Sequence, residues 1–180
     1  MTIYNNTTGL LKKLKVALIA SGAIAALSAA PAAMAGDLNS IVVDSVNLDF
    51  GDEDFLQALI EMDADDIAEM SKEFADARDD IRDAITEIAD ARAEAEKSDQ
   101  ASSILAVALS EAGNSVSETA ESAFAQVRAE LNRAQEELTG MRSSISPEEY
   151  SETQEVISFL RAELSAFEDA LGDLIAALNA

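Results

Sequence analysis

Between Leu56 and Ser98, apolar side chains return at alternating steps of three and four residues. One heptad set is Ile60, Ile67, Phe74, Ile81, Ile88 and Ala95, and a second is Met70, Ala77, Ala84 and Ala91. Large side chains thus alternate with alanine on one stripe. That spacing marks a helix seam packed on other helices, with the alanines letting a partner backbone come close. No proline or glycine interrupts the chain between Gly51 and Gly113, so one long helix is predicted over residues 53–112. Near Ser98-Asp99 the stripe changes phase, continuing at Ala101, Leu105, Ala108 and Ala112, which predicts a bend or a short break there. Gly113-Asn114 is the expected stop.

A second helix is predicted over 116–142. Ser115-Val116-Ser117-Glu118 has the form of a capping box, and its seam runs Ala120, Phe124, Val127, Leu131, Ala134, Leu138 and Met141. A third is predicted over 147–178. Ser146, Pro147 and Glu149 supply a cap, a first-turn proline and a reciprocal acid. Its stripe is Tyr150, Ile157, Leu160, Leu164, Phe167, Leu171, Leu174 and Leu178. The expected fold is therefore all-α. Short connections favour an up-down-up bundle, with an extended helical hairpin of on the order of 90 Å as the alternative. Asp63 interrupts the first seam, one heptad from Leu56 and from Met70. A buried unpaired carboxylate is costly, so this side chain is expected to be exposed at the helix start.

The chain opens differently. Lys12, Lys13 and Lys15 precede an apolar run from Val16 to Ala30, and Pro31 leads into Ala33-Met34-Ala35. This is the layout of a cleaved secretory signal, residues 1–35, and it places the protein in the periplasm or outside the cell, with no stable membrane insertion after cleavage. Residues 36–51 read as an extended arm, because Ile41-Val42-Val43 and the alternation of Val46, Leu48 and Phe50 suit a strand but nothing elsewhere would pair with one. Helices then occupy 52–180.

Charge narrows the function classes. The full chain carries a net −23. Removing residues 1–35 takes away three lysines and no acid, which leaves 145 residues at −26. Such a field disfavours nucleic acid and anionic lipid and favours cations or basic proteins. There is no cysteine and no histidine, so thiol chemistry, disulfides, imidazole bases and imidazole metal ligands are excluded. The thin inventory of bases and the absence of tryptophan argue against an enzyme.

Two acidic constellations are candidates for function. Asp66, Glu73, Asp80, Glu87 and Glu94 recur every seven residues and form a ridge beside the first seam, a surface for a basic protein partner or for self-association. In a parallel pairing of two copies, Glu73 would meet Arg78, Glu87 would meet Arg92, and Glu137 would meet Arg142. Asp49, Asp52 and Asp54 crowd the start of the helical region and offer oxygen ligands suited to calcium, although the spacing is not that of a twelve-residue calcium loop. No other cofactor is expected. Finally, Ile145-Ser146-Pro147-Glu148-Glu149 resembles the Leu-Thr-Pro-Glu-Gln type of motif in the small helical periplasmic chaperones related to Spy, which would imply a holdase. The likeness covers five residues, which a helix cap explains as well.

Overall fold

The computed structural model describes residues 55–180, and these are helical almost throughout, with no strand among them. The signal at 1–35 and the arm at 36–51 lie outside the described residues. Four helices follow one another: α1 (Phe55–Ile60), α2 (Ala64–Ala95), α3 (Asp99–Met141) and α4 (Pro147–Asn179). None is long and apolar enough to cross a membrane.

The predicted single helix over 53–112 is instead cut twice, both times by a capping side chain. Asp63 stands in extended conformation and accepts from the backbone N–H groups of Asp65 and Asp66 at 2.9 Å each, while its own N–H donates to Asp66 Oδ2 at 3.1 Å. A short acid at this position satisfies donors that the first turn leaves open, and three acids suit the positive end of the helix dipole. The exposure expected of Asp63 is observed, and the cap is its reason. The second cut follows Ala95. Ser98, also extended, caps α3, and Lys97 and Ser98 tighten the end of α2 by donating to Glu94 and Ala95 carbonyls. Of the bend or short break expected near residue 98, the structure shows the break.

The predicted stop at Gly113 is also corrected. α3 runs 43 residues straight through it, so there is no helix start at 116. Buried positions Leu105, Leu109, Gly113, Val116, Ala120, Ala123, Val127, Leu131, Ala134 and Leu138 keep a three-and-four rhythm across the glycine. Its φ lies outside the left-handed region that a terminating glycine uses. An added Cβ would come within 3.2 Å of Leu178 Cβ and 3.0 Å of the Asn179 amide, so the glycine admits the end of α4. Ser117, read as part of a cap, donates to Glu121 Oε1 one turn on. The third predicted helix agrees with α4, including the Ser146 and Glu149 capping box and the proline at its start.

Cross-helix contacts give the directions. Arg128 pairs with Glu168, Arg161 bonds Asn132 at 3.0 Å, and Gly113 faces Leu178 and Asn179, so α3 and α4 are antiparallel. Arg78 pairs with Glu163 and Arg92 reaches the carbonyls of Ala177 and Leu178, so α2 runs alongside α4 in the same sense. α4 packs extensively on both neighbours, whereas α2 and α3 meet much less. One apolar core joins all four helices. At its middle, Phe167 of α4 receives Phe74 of α2 and Phe124 of α3 edge-on, with ring centroids 6.5 and 6.0 Å apart.

Helix lengths differ, and this shapes one end. α4 stops at the level of Gly113, so the first 14 residues of α3, Asp99 to Ala112, run on past it. At 1.5 Å per residue this projection is about 21 Å, shared among the described residues with the last turn of α2 and the Glu96–Ser98 link.

Candidate functional site

The acidic ridge divides when its residues are placed on α2. Asp80, Glu87 and Glu94 are exposed, while Asp66 and Glu73 are half-buried. Asp66 is committed to the capping box with Asp63. Glu94 takes an ion pair from Lys97. The exposed part is wider than one row, because Asp76, Asp79, Asp83 and Asp90 also face solvent. From Asp76 to Glu94 the outer surface of α2 thus shows seven carboxylates.

What sharpens this surface is where the cations go. Of the three arginines in that span only Arg82 is exposed, and it pairs with Asp79. Arg78 turns inward to Glu163, where both side chains are about four-fifths buried. Arg92 donates to Ala177 O and Leu178 O at 3.0 Å each, so a cation sits at the negative end of α4. Its Nε is buried without a partner, the cost of turning the guanidinium inward. Between Asp76 and Glu94 the helix therefore presents mainly acid outward, with two of its three arginines turned to the core side. Residues seven apart lie about 10.5 Å apart along the axis, near the screening length at physiological salt, so neighbouring carboxylates reinforce one another's potential.

Within one chain, the cations named for a parallel pairing of two copies have contacts of their own. Arg78 and Arg92 are engaged within the chain, and Arg142 lies over the Tyr150 ring, 5.4 Å from its centroid. Glu137 is likewise bonded by Arg133 at 3.0 Å. The candidate calcium ligands Asp49, Asp52 and Asp54 lie outside the described residues. Among the described residues no group of three or more acids is placed to hold a metal ion.

One feature that pattern reading passed over is a shallow cleft of about 290 Å³ between α3 and α4, lined by Arg128, Leu131, Asn132, Arg161, Leu164 and Glu168, among others. Its charges are matched internally, Arg128 with Glu168 and Arg161 with Asn132. Knowing that α3 passes through Gly113 and runs antiparallel to α4 is what brings these residues together, and no local motif marks them. The carboxyl of Glu149 lies away from both surfaces, and the Ser146 backbone N–H, then the Ser146 side chain, holds it below its ordinary value of 4.5. Its role is to start α4. Compared with known proteins, the chain matches no family model, no curated protein and no solved structure.

Proposed function

We propose that the chain is an exported, non-catalytic binding protein, an up-down-up helical scaffold that presents the outer face of α2 to a basic protein segment. The observation that carries this is the sorting of charge on that helix, with seven exposed acids between Asp76 and Glu94 against a single exposed arginine. Random surface acidity would leave arginines in the same face. The secretory layout of residues 1–35 supports export, and the lack of histidine and cysteine supports a role without catalysis. The calcium and holdase readings gain no independent support from the described residues, so the proposal rests on α2.

The test separates this face from general acidity. Asp80, Glu87 and Glu94 are changed together to lysine, and a control changes Glu152, Glu155 and Asp173 on α4, which are equally exposed and give the same net charge. The probe is a lysine-rich amphipathic helical peptide, followed by fluorescence anisotropy near physiological salt. The α2 variant is expected to lose more than about tenfold in affinity and the α4 control less than about threefold. Equal losses would reduce the interaction to bulk charge and end the assignment.

A further inference from the structure

The cleft between α3 and α4 is bounded at each end by a polar bridge, Arg161 to Asn132 at one end and Arg128 to Glu168 at the other. Its floor between them is Leu131 and Leu164, both core residues. Each guanidinium has a partner, but of a different kind. Arg128 meets the carboxylate of Glu168, whereas Arg161 meets the neutral amide of Asn132, which holds its charge in place without cancelling it. Two guanidiniums against one carboxylate leave the lining at +1, on a chain of net −23. The bonding capacity left over has one sign as well. Arginine has no acceptor, so Asn132 turns its oxygen to Arg161 and keeps both amide hydrogens to give. The Ser165 hydroxyl and the unused N–H groups of both arginines add further donors. Glu168, the one carboxylate of the lining, is already bonded.

We propose that this cleft binds a small organic monocarboxylate with a short apolar body, its carboxylate on Arg161 and Asn132 and its body over Leu131 and Leu164. A planar carboxylate takes two parallel N–H bonds from one guanidinium, and the Asn132 amide, bonded to that fork, offers a third. The single charge follows from the surroundings. One negative charge cancels the lining's +1, whereas a second would face Glu168 and the field of the whole acidic chain. At physiological salt that field reaches only about 8 Å, so contacts inside the cleft decide the binding of a monoanion. Size follows from the bridges. Arg161 and Glu168 are seven residues apart on α4, about 10.5 Å along its axis, which admits a body of about five or six carbons before the Arg128 bridge. At about 290 Å³ the cleft stands at the lower limit of small-molecule sites. It is shallow, with Arg161, Asn132 and Ser165 exposed, so the ion pair is screened and the expected dissociation constant is on the order of 1 mM. These residues belong to α3 and α4, and the inference does not rest on the outer face of α2.

Amide shift mapping of the isotopically labelled protein with hexanoate, at constant ionic strength, tests this. Shifts are expected to cluster at residues 128–132 and 161–165 and to fit a single site with a dissociation constant on the order of 1 mM. Hexanol, the same chain without the charge, should bind at least about fivefold more weakly, and so should inorganic phosphate, which has the charge without the apolar body. Arg161→Gln keeps an amide donor for Asn132 and, the residue being exposed, should keep the parent's helicity while hexanoate affinity falls at least about fivefold. Arg142→Gln, which removes the same charge at the carboxyl end of α3, should bind hexanoate like the parent. No saturable shift in the cleft overturns the proposal, and so does full affinity in Arg161→Gln. Hexanol equal to hexanoate would leave only an apolar crevice, and phosphate equal to it only a general anion site. Either result overturns the assignment to a monocarboxylate.

Discussion

Gly113 separates two physical roles for one residue. A glycine that ends a helix is required for its backbone, so any side chain there pays the same left-handed penalty, about 1–2 kcal/mol, whether alanine or leucine. A glycine inside a helix that admits a neighbour is required for its size. In the structure an alanine at 113 would place Cβ 3.2 Å from Leu178 Cβ and 3.0 Å from the Asn179 amide. The amide is the far end of a flexible, exposed side chain and swings away. Leu178, in the final turn of α4, needs to retreat by only a few tenths of an ångström. Alanine also gains about 1 kcal/mol of helix propensity. The net for Gly113→Ala is therefore within about 1 kcal/mol of zero. Gly113→Leu cannot be accommodated this way. It drives α4's last turn from the core, and overpacking of this kind costs about 2–3 kcal/mol, a fall in Tm of roughly 5–15 °C. Thermal and urea denaturation followed by circular dichroism measure both variants. Equal destabilisation by alanine and leucine would refute a continuous α3 and restore a helix end at Gly113.

Other expectations follow from single contacts. Leu174→Ala, at a position with 0% exposure, should lower stability by about 2–5 kcal/mol in urea denaturation. Arg78→Met should cost about 1–2 kcal/mol because it strands the largely buried Glu163, and adding Glu163→Met should recover most of it, a non-additivity readable in a double-mutant cycle. Ser146→Ala removes the cap of α4 and should cost about 1 kcal/mol. The lowered titration of Glu149 makes a signed prediction: its contribution is fully present above the ordinary value of 4.5 and is lost as pH falls through its lower folded value. Glu149→Gln should therefore flatten the acid side of the stability curve and leave a residual difference above pH 5 that no longer varies with pH.

Most of the helical architecture was legible because it is written locally. The stripe from Tyr150 to Leu178 and the Ser146-Pro147-Glu149 start signal specify α4 nearly to the residue. In α2 the predicted positions Met70, Phe74, Ile81, Ala84 and Ile88 are all buried. The misreadings share one cause, a residue type with two physical uses. Asp63 is exposed as its place in the seam predicts, but it starts a new helix, α2, rather than lying within one that begins at residue 53, which depends on its turning its oxygens to Asp65 and Asp66. Gly113 looked like a stop and is a contact, which depends on where α4 ends, 65 residues further along the chain. The rhythm of Leu109, Gly113, Val116 and Ala120 carried the correct reading, but it required counting the glycine as a core position. The ridge was visible as a heptad of acids. Its strength was not, because the inward turn of Arg78 and Arg92 follows from tertiary neighbours on α4. The projecting tip is a difference between helix lengths, and it appears only when α2 ends at Ala95 rather than at residue 112.

The central claim is that recognition belongs to one face of one helix. Amide chemical-shift mapping of the isotopically labelled protein, titrated with the lysine-rich helical peptide near physiological salt, addresses it most directly. The account predicts perturbations concentrated between Asp76 and Glu94, with α4's exposed acids Glu152, Glu155 and Asp173 nearly unmoved. Shifts spread evenly over every acidic surface would contradict it and leave the protein a polyanion without a site.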